Sequence, residues 1–175
     1  MHQPKTKINN PSYDAYATDS PSGRKPLLVV GIGNLVLQDE GFGIHVIREL
    51  ERRRLLPPEV DLLDGGCAGL HLMGPLQNYD RVIVVDGALD SYPQGTVRHI
   101  RPQFGEFPPL VTVHEIGLKD VLEALSLTGF CPQVEMVVCS VAKYDSLGIS
   151  LTPPVEKAVE KAVDMVMEAV SNPIN

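Results

Sequence analysis

The sequence predicts an α/β sandwich around a mostly parallel sheet, and three observations carry that prediction. Short apolar runs, among them Leu27-Leu28-Val29-Val30 and Met136-Val137-Val138-Cys139-Ser140-Val141, alternate with longer segments of helical period. The run Val82-Ile83-Val84-Val85 is apolar without a break, as a central parallel strand covered on both faces requires. The chain has 175 residues, and its 43% apolar content is enough for one domain with a real core.

The elements follow in order. Residues 1–25 are polar, carry Pro4, Pro11, Pro21 and Gly23, and show almost no apolar period, so they read as a flexible extension. A single domain over 26–171 follows. Strand 27–30 leads into the glycine-rich turn Gly31-Ile32-Gly33-Asn34. A helix over 43–54 places Val46, Ile47 and Leu50 on one face. Pro57-Pro58 stops it, and Arg52-Arg53-Arg54 reads as a solvated end of favourable dipole sign. A short strand over 60–63 ends at Asp64-Gly65-Gly66, and a short helix spans 70–76. The central strand 82–85 ends at Asp86. An edge strand spans 96–100, made more polar by Arg98 and His99, and a loop spans 102–109. A helix over 116–127 turns Val121, Leu122 and Leu125 inward. The last strong strand lies within 135–142. The final helix has the stripe Val155, Val159, Ala162, Val163, Val166 and Val170, with Thr152 as N-cap and Pro153 in its first position.

Charge and cysteines exclude several classes. A net charge of -7 argues against nucleic acid, which needs a basic face. Three irregularly spaced cysteines make no disulfide framework, so a reducing cytoplasm is the simplest compartment. No apolar run approaches the ~18–20 residues that span a bilayer, and the N-terminus has no signal-peptide stretch. No membrane association is expected.

The turn Gly31-Ile32-Gly33-Asn34-Leu35-Val36-Leu37-Gln38-Asp39-Glu40-Gly41-Phe42-Gly43 resembles a dinucleotide-binding loop, but it lacks the third glycine at the helix start. It carries Asp39 and Glu40 instead. Carboxylates there repel a phosphate and suit a cation. Glu40 after the first strand, Asp86 after the central strand and His114 at a later helix start can share one edge of a doubly wound sheet. Two carboxylates and an imidazole suit nickel, zinc or a similar divalent ion.

Each of these residues also has a plain structural reading. Asp39 and Glu40 can complement the next helix dipole, and Asp86 can be a capping turn residue. His114 sits in Thr112-Val113-His114-Glu115, a capping box with Thr112 as N-cap, where the helix dipole favours a neutral imidazole. Asp64, in Asp64-Gly65-Gly66-Cys67-Ala68-Gly69, is either a general base or a turn aspartate bonding its own backbone. Cys67 reads as a small filler and Cys139 as core. Cys131 suggests nothing, and His45, His71 and His99 are expected on surface or in core.

Taken together, Gly31 to Gly43, Asp64-Gly-Gly-Cys-Ala-Gly, Val84-Val-Asp86 with Gly95-Thr96-Val97, and His114-Glu-Ile-Gly-Leu resemble, in order, the hydrogenase maturation endopeptidases. That family removes a C-terminal peptide from the nickel-iron hydrogenase large subunit. The resemblance covers about residues 26–171. It implies a three-layer, phosphorylase/hydrolase-like sandwich with a twisted, mostly parallel five-stranded sheet and helices on both faces. It also implies metal ligation by Glu40, Asp86 and His114. The metal that the resemblance implies is nickel supplied by the substrate, with other divalent ions substituting for it in crystals. Asp64 matches an aspartate suspected in cleavage. Three departures stand out: the N-terminal extension, Cys67 where Thr is common, and Gly87 after Asp86.

The expected function is a cytoplasmic, monomeric endopeptidase acting once on the nickel-loaded large subunit precursor. Two alternatives stand beside it. A peptidyl-tRNA hydrolase-like protein also opens with Gly-x-Gly-Asn, but follows it with Pro where this chain has Leu35. A non-catalytic nickel-binding assembly chaperone would use the same three ligands.

Overall fold

The computed structural model describes residues 23–67, 69–102, 111–112, 118–143 and 145–172. The chain runs β1 (Lys25–Gly31), a 3-10 turn (Gln38–Gly41), α1 (Phe42–Arg53) and β2 (Val60–Asp64). A second 3-10 turn (Leu70–Leu72) leads directly into α2 (Met73–Leu76). Then come β3 (Tyr79–Leu89), β4 (Val97–Ile100), β5 (Val111–Thr112), α3 (Leu118–Leu127), β6 (Gln133–Val141) and α4 (Pro153–Ser171).

Five strands lie in the order β2-β1-β3-β6-β4. The first four are parallel, and β4 closes the edge antiparallel to β6. The sheet is mostly parallel with helices on both faces, as expected. The two-residue strand β5 adds antiparallel pairing to the end of β3, beyond the point where β1 stops.

Residue alternation along the strands divides the core in two. Leu27, Val29, Ile83, Val85, Val137 and Cys139 pack under α1 and α4. Leu28, Val30, Val82, Val84, Met136 and Val138 pack under α2 and α3. Both faces of β1, β3 and β6 are therefore dry, which explains their unbroken apolar runs. The chain leaves β1 through α1 on one face to reach β2. It then crosses back past β1, through α2 on the other face, to reach β3. The direction of winding changes between β1 and β3, and the carboxyl edge there is the crevice where open α/β sheets place their sites.

Four local expectations need correction. Asp86 does not end the central strand: β3 continues to Leu89 because β6 pairs it through Val141 and β5 pairs Ala88 and Leu89. Thr112 is not a helix N-cap: it pairs with Ala88 in β5, while α3 begins at Leu118. In α4 the buried residues include Ala158 and Ala169, whereas Val159 and Val170 are only partly buried. Ala158 and Ala169 continue the helical spacing of Val155, Ala162 and Val166, which sets the buried face. The basic end of α1 is not simply solvated. Arg53 bonds Glu49 on its own helix and Glu160 on α4, with Nη1 2.8 Å from Glu160 Oε1.

A buried ionic cluster lies at the opposite, amino-terminal edge of the parallel strands. Arg81 Nε donates to Glu135 Oε1 at 2.7 Å and its Nη2 to the Ala169 carbonyl at 2.5 Å, fastening β3 and β6 to α4. His99 Nε2 lies 2.7 Å from Glu135 Oε2. Arg81 and Glu135 satisfy each other's charge where a lone one would be costly.

Candidate active site at the carboxyl edge of the sheet

The turn after β1 is built by backbone packing rather than for phosphate. Gly43 opens α1 so close to the sheet that a Cβ there would overlap the backbone oxygens of Val85 and Ile32. Gly33, at φ +157°, would drive a Cβ into the Glu40 carbonyl. Ile32 N donates to Val85 O at 2.8 Å, Gly33 N to Gly66 O at 2.9 Å and Gly65 N to Gly31 O at 2.8 Å. The two glycine turns are thus knitted together. Asn34 holds the loop: its side-chain oxygen accepts the Val36 N–H at 3.1 Å, and its carbonyl accepts Leu37 N–H at 3.1 Å.

The 3-10 turn then sends two adjacent carboxylates to different tasks. Gln38 enters it with φ +47°, a left-handed conformation uncommon for a side-chain-bearing residue. Asp39, 3% exposed, turns toward α4. Its Oδ1 accepts the Thr152 N–H at 2.7 Å. Its Oδ2 accepts the Thr152 hydroxyl at 2.7 Å and the Gln94 amide at 2.9 Å. Asp39 does serve a helix start, but that of α4 rather than α1. Thr152 is the N-cap of α4, yet its hydroxyl bonds Asp39 instead of the helix.

Glu40, the next residue, acts instead on Asp86 of β3 through its charge. Both are buried, at 6% and 1% exposure. Burial raises the Glu40 carboxyl above its ordinary value. Burial pushes Asp86 well above the usual carboxylate range. The Gly87 N–H, 2.7 Å from Oδ1, opposes that rise, and the negative charge of Glu40 adds to it. Two carboxylates that feel each other inside a low-dielectric edge are what a cation would relieve.

Asp64 ends β2 and is exposed. Its Oδ1 accepts the Gly66 N–H at 3.1 Å, the turn-aspartate arrangement. In register, Asp64 lies across from Gly31, and Gly31 across from Val85. Two strand spacings put that row about 10 Å wide, so Asp64 stands one strand away from the carboxylate pair rather than beside it. Cys67, next to Asp64, is exposed and fills no core space. Cys139 is core, and burial pushes its thiol up to about 12. His114 and Glu115 lie outside the described residues. Among the described residues no group of three His, Cys, Asp or Glu could hold a metal.

Sequence reasoning missed Gln94 and the partner of Asp39. The signal available was Thr152-Pro153, which marked a helix start without showing what would meet it.

A sequence model of the HycI hydrogenase maturation protease family matches residues 44–169. This chain belongs to the hydrogenase maturation proteases. It is 38% identical over 149 residues to the hydrogenase 2 maturation protease of Escherichia coli K12, covering 82% of this chain and 90% of that protein. It is 33% identical over 150 residues to the hydrogenase expression/formation protein HupD of Bradyrhizobium diazoefficiens, covering 83% and 78%. The solved structure of the E. coli hydrogenase maturating endopeptidase HybD superposes with a TM-score of 0.75 at 35% identity, covering 83% of this chain and 92% of that one. The carboxylate edge therefore belongs to a peptide-bond hydrolase, and the peptidyl-tRNA hydrolase alternative falls. No helix among the described residues is long and apolar enough to cross a membrane.

Proposed function

We infer that this protease removes a C-terminal peptide from the large subunit precursor of a nickel-iron hydrogenase, and that it finds the scissile bond through nickel already inserted in the precursor. The observation that carries this reading is the buried pair Glu40 and Asp86 at the point where the sheet reverses its winding. Hard carboxylate oxygens with burial set against their charge gain most when a divalent ion arrives. His114 would complete the set. Thr112, two residues earlier in the chain, pairs with Ala88, two residues beyond Asp86.

In this reading Glu40, Asp86 and His114 grip the ion that the substrate brings, and the neighbouring peptide carbonyl is polarised for attack by water. Asp64, about 10 Å along the edge, lies within the span of two to three extended residues. It accepts the proton of the attacking water and returns one to the leaving amine. A set completed only on nickel delivery makes cleavage a check on metal insertion. The protein would work as a cytoplasmic monomer, with no nucleic-acid or membrane partner.

The test is cleavage of nickel-loaded and nickel-free precursor by the wild type, Glu40→Gln and His114→Ala. Cleavage of the loaded precursor by the wild type alone is expected, and equal cleavage in every arm would sink the mechanism. In a crystal soaked with a divalent ion, ligation by Glu40, Asp86 and His114 at about 2.0–2.2 Å is expected, and ligation elsewhere would refute the site. Tight nickel binding with no product peptide would favour an assembly chaperone instead.

A further inference from the structure

Exposed apolar side chains gather around the same edge. Val36, Leu147 and Ile149 stand 55%, 83% and 77% exposed. Val36 lies in the loop after β1, and the other two lie in the loop after β6, so all three follow the carboxyl ends of parallel strands. Backbone bonds join the two loops: Gln38 N donates to Gly148 O at 2.8 Å and Gly148 N to Val36 O at 3.0 Å. The resulting parallel bridge between Leu37 and Gly148 brings Leu147 alongside Val36, and Ile149 follows the bridged Gly148 directly. The bonds from Thr152 to Asp39 fasten the same two loops a second time. The three side chains therefore stand on a doubly tied platform, and Glu40 is part of that platform.

We propose that Val36, Leu147 and Ile149 form the surface on which the hydrogenase large subunit precursor lays an apolar segment beside its cleavage point. The inference rests on the function proposed above and names what else that function needs. Two carboxylates read a metal's charge, but they do not tell one nickel-bearing chain from another. Apolar contact can make that distinction, and it is not weakened by the net charge of -7 that this chain would set against an acidic partner. The size of the patch selects the occupant. A stable dimer buries roughly 800 Å² and some 20–30 residues on each side. Three side chains on two loops fall far short of that and match a few residues of extended chain. Continuity with the Glu40 loop means that a segment held here runs on into the carboxylate pair.

The experiment compares wild type, the double variant Leu147→Asp/Ile149→Asp, and Val36→Asp, the last probing the other loop. Each variant's melting curve is checked against wild type; exposed positions should leave it unchanged. Binding of nickel-loaded precursor is measured by calorimetry, and cleavage as separate KM and kcat. Expected is a rise of about tenfold or more in Kd and KM in both variants, with kcat at saturation changing by less than about threefold. Unchanged Kd and KM in both variants would overturn the proposal. It is equally overturned if the wild type sediments as a dimer that the double variant dissolves while precursor binding is unaltered. A wild type that binds precursor through the patch yet never cleaves it would sink the proposed function alone. A wild type that cleaves, with variants of equal KM, would sink the docking surface alone.

Discussion

Replacing Asp39 with alanine should loosen the protein at a point 113 residues away in sequence. The carboxylate accepts three hydrogen bonds, from the Thr152 backbone, the Thr152 hydroxyl and the Gln94 amide, at 2.7, 2.7 and 2.9 Å. Bonds to a charged acceptor contribute about 1.5–3 kcal/mol each. Thr152 and Gln94 are only partly buried, so water can take over part of the loss. The carboxylate also faces the N-terminus of α4, which adds ~0.3–1 kcal/mol. A net cost of about 3 kcal/mol follows for Asp39→Ala. For a domain of this size that corresponds to roughly 6–12 °C in melting temperature.

Asp39→Asn should cost less, about 2 kcal/mol, because Oδ1 still accepts the Thr152 N–H and the Thr152 hydroxyl can rotate to accept from the new amide, while that amide meets the Gln94 amide donor to donor and loses its bond. Urea unfolding followed by circular dichroism measures both, with the midpoint shifting at constant m-value. A cycle with Thr152→Ala should show coupling of about 1 kcal/mol. The reasoning is refuted if Asp39→Ala unfolds within about 0.5 kcal/mol of wild type, or if the asparagine and alanine variants are equally unstable. The alanine variant should also lose activity beyond its stability loss, since the same turn aims Glu40.

Three further outcomes are expected. Asp86→Asn keeps an oxygen for the Gly87 N–H and removes a charge that burial and Glu40 oppose. Scanning calorimetry of the metal-free variant should give a melting temperature at or above wild type while precursor cleavage is lost, and a drop of several degrees would contradict the account. Gly43→Ala forces a Cβ onto the backbone oxygens of Val85 and Ile32, so a loss of about 3 kcal/mol or more is expected in denaturant unfolding. Glu49 is held down to about 2 by bonds from Arg52 and Arg53, against 4.5 ordinarily. A depressed carboxyl contributes stability above its unfolded value and loses it as pH falls through the folded one. Melting curves between pH 5 and 2 should therefore fall more steeply for wild type than for Glu49→Gln.

Much of this fold is legible in the sequence because strong local terms write it there. The unbroken apolar runs of β1, β3 and β6 require two covered faces, and Pro153 after Thr152 marks the start of α4. The glycine-rich turn after β1, with its acidic pair, also points to the carboxyl edge as the candidate site. Sequence alone could not order the strands. The jump of β3 across β1, which makes the crevice, depends on which strand edges pair in space. Nor could it end β3 correctly at Leu89, because the extra residues are held by β5 and β6 rather than by their own composition. The sequence already divides Asp39 from Glu40, giving the ligand role to Glu40 and a helix start to Asp39. Least legible was which helix Asp39 serves, because its partner Thr152 lies 113 residues further along the chain. The left-handed backbone at Gln38 and a partner on α4 take Asp39 into a structural tie, leaving Glu40 beside Asp86. Direction in space, set by one backbone angle and a contact between distant parts of the chain, is information that only the tertiary structure holds.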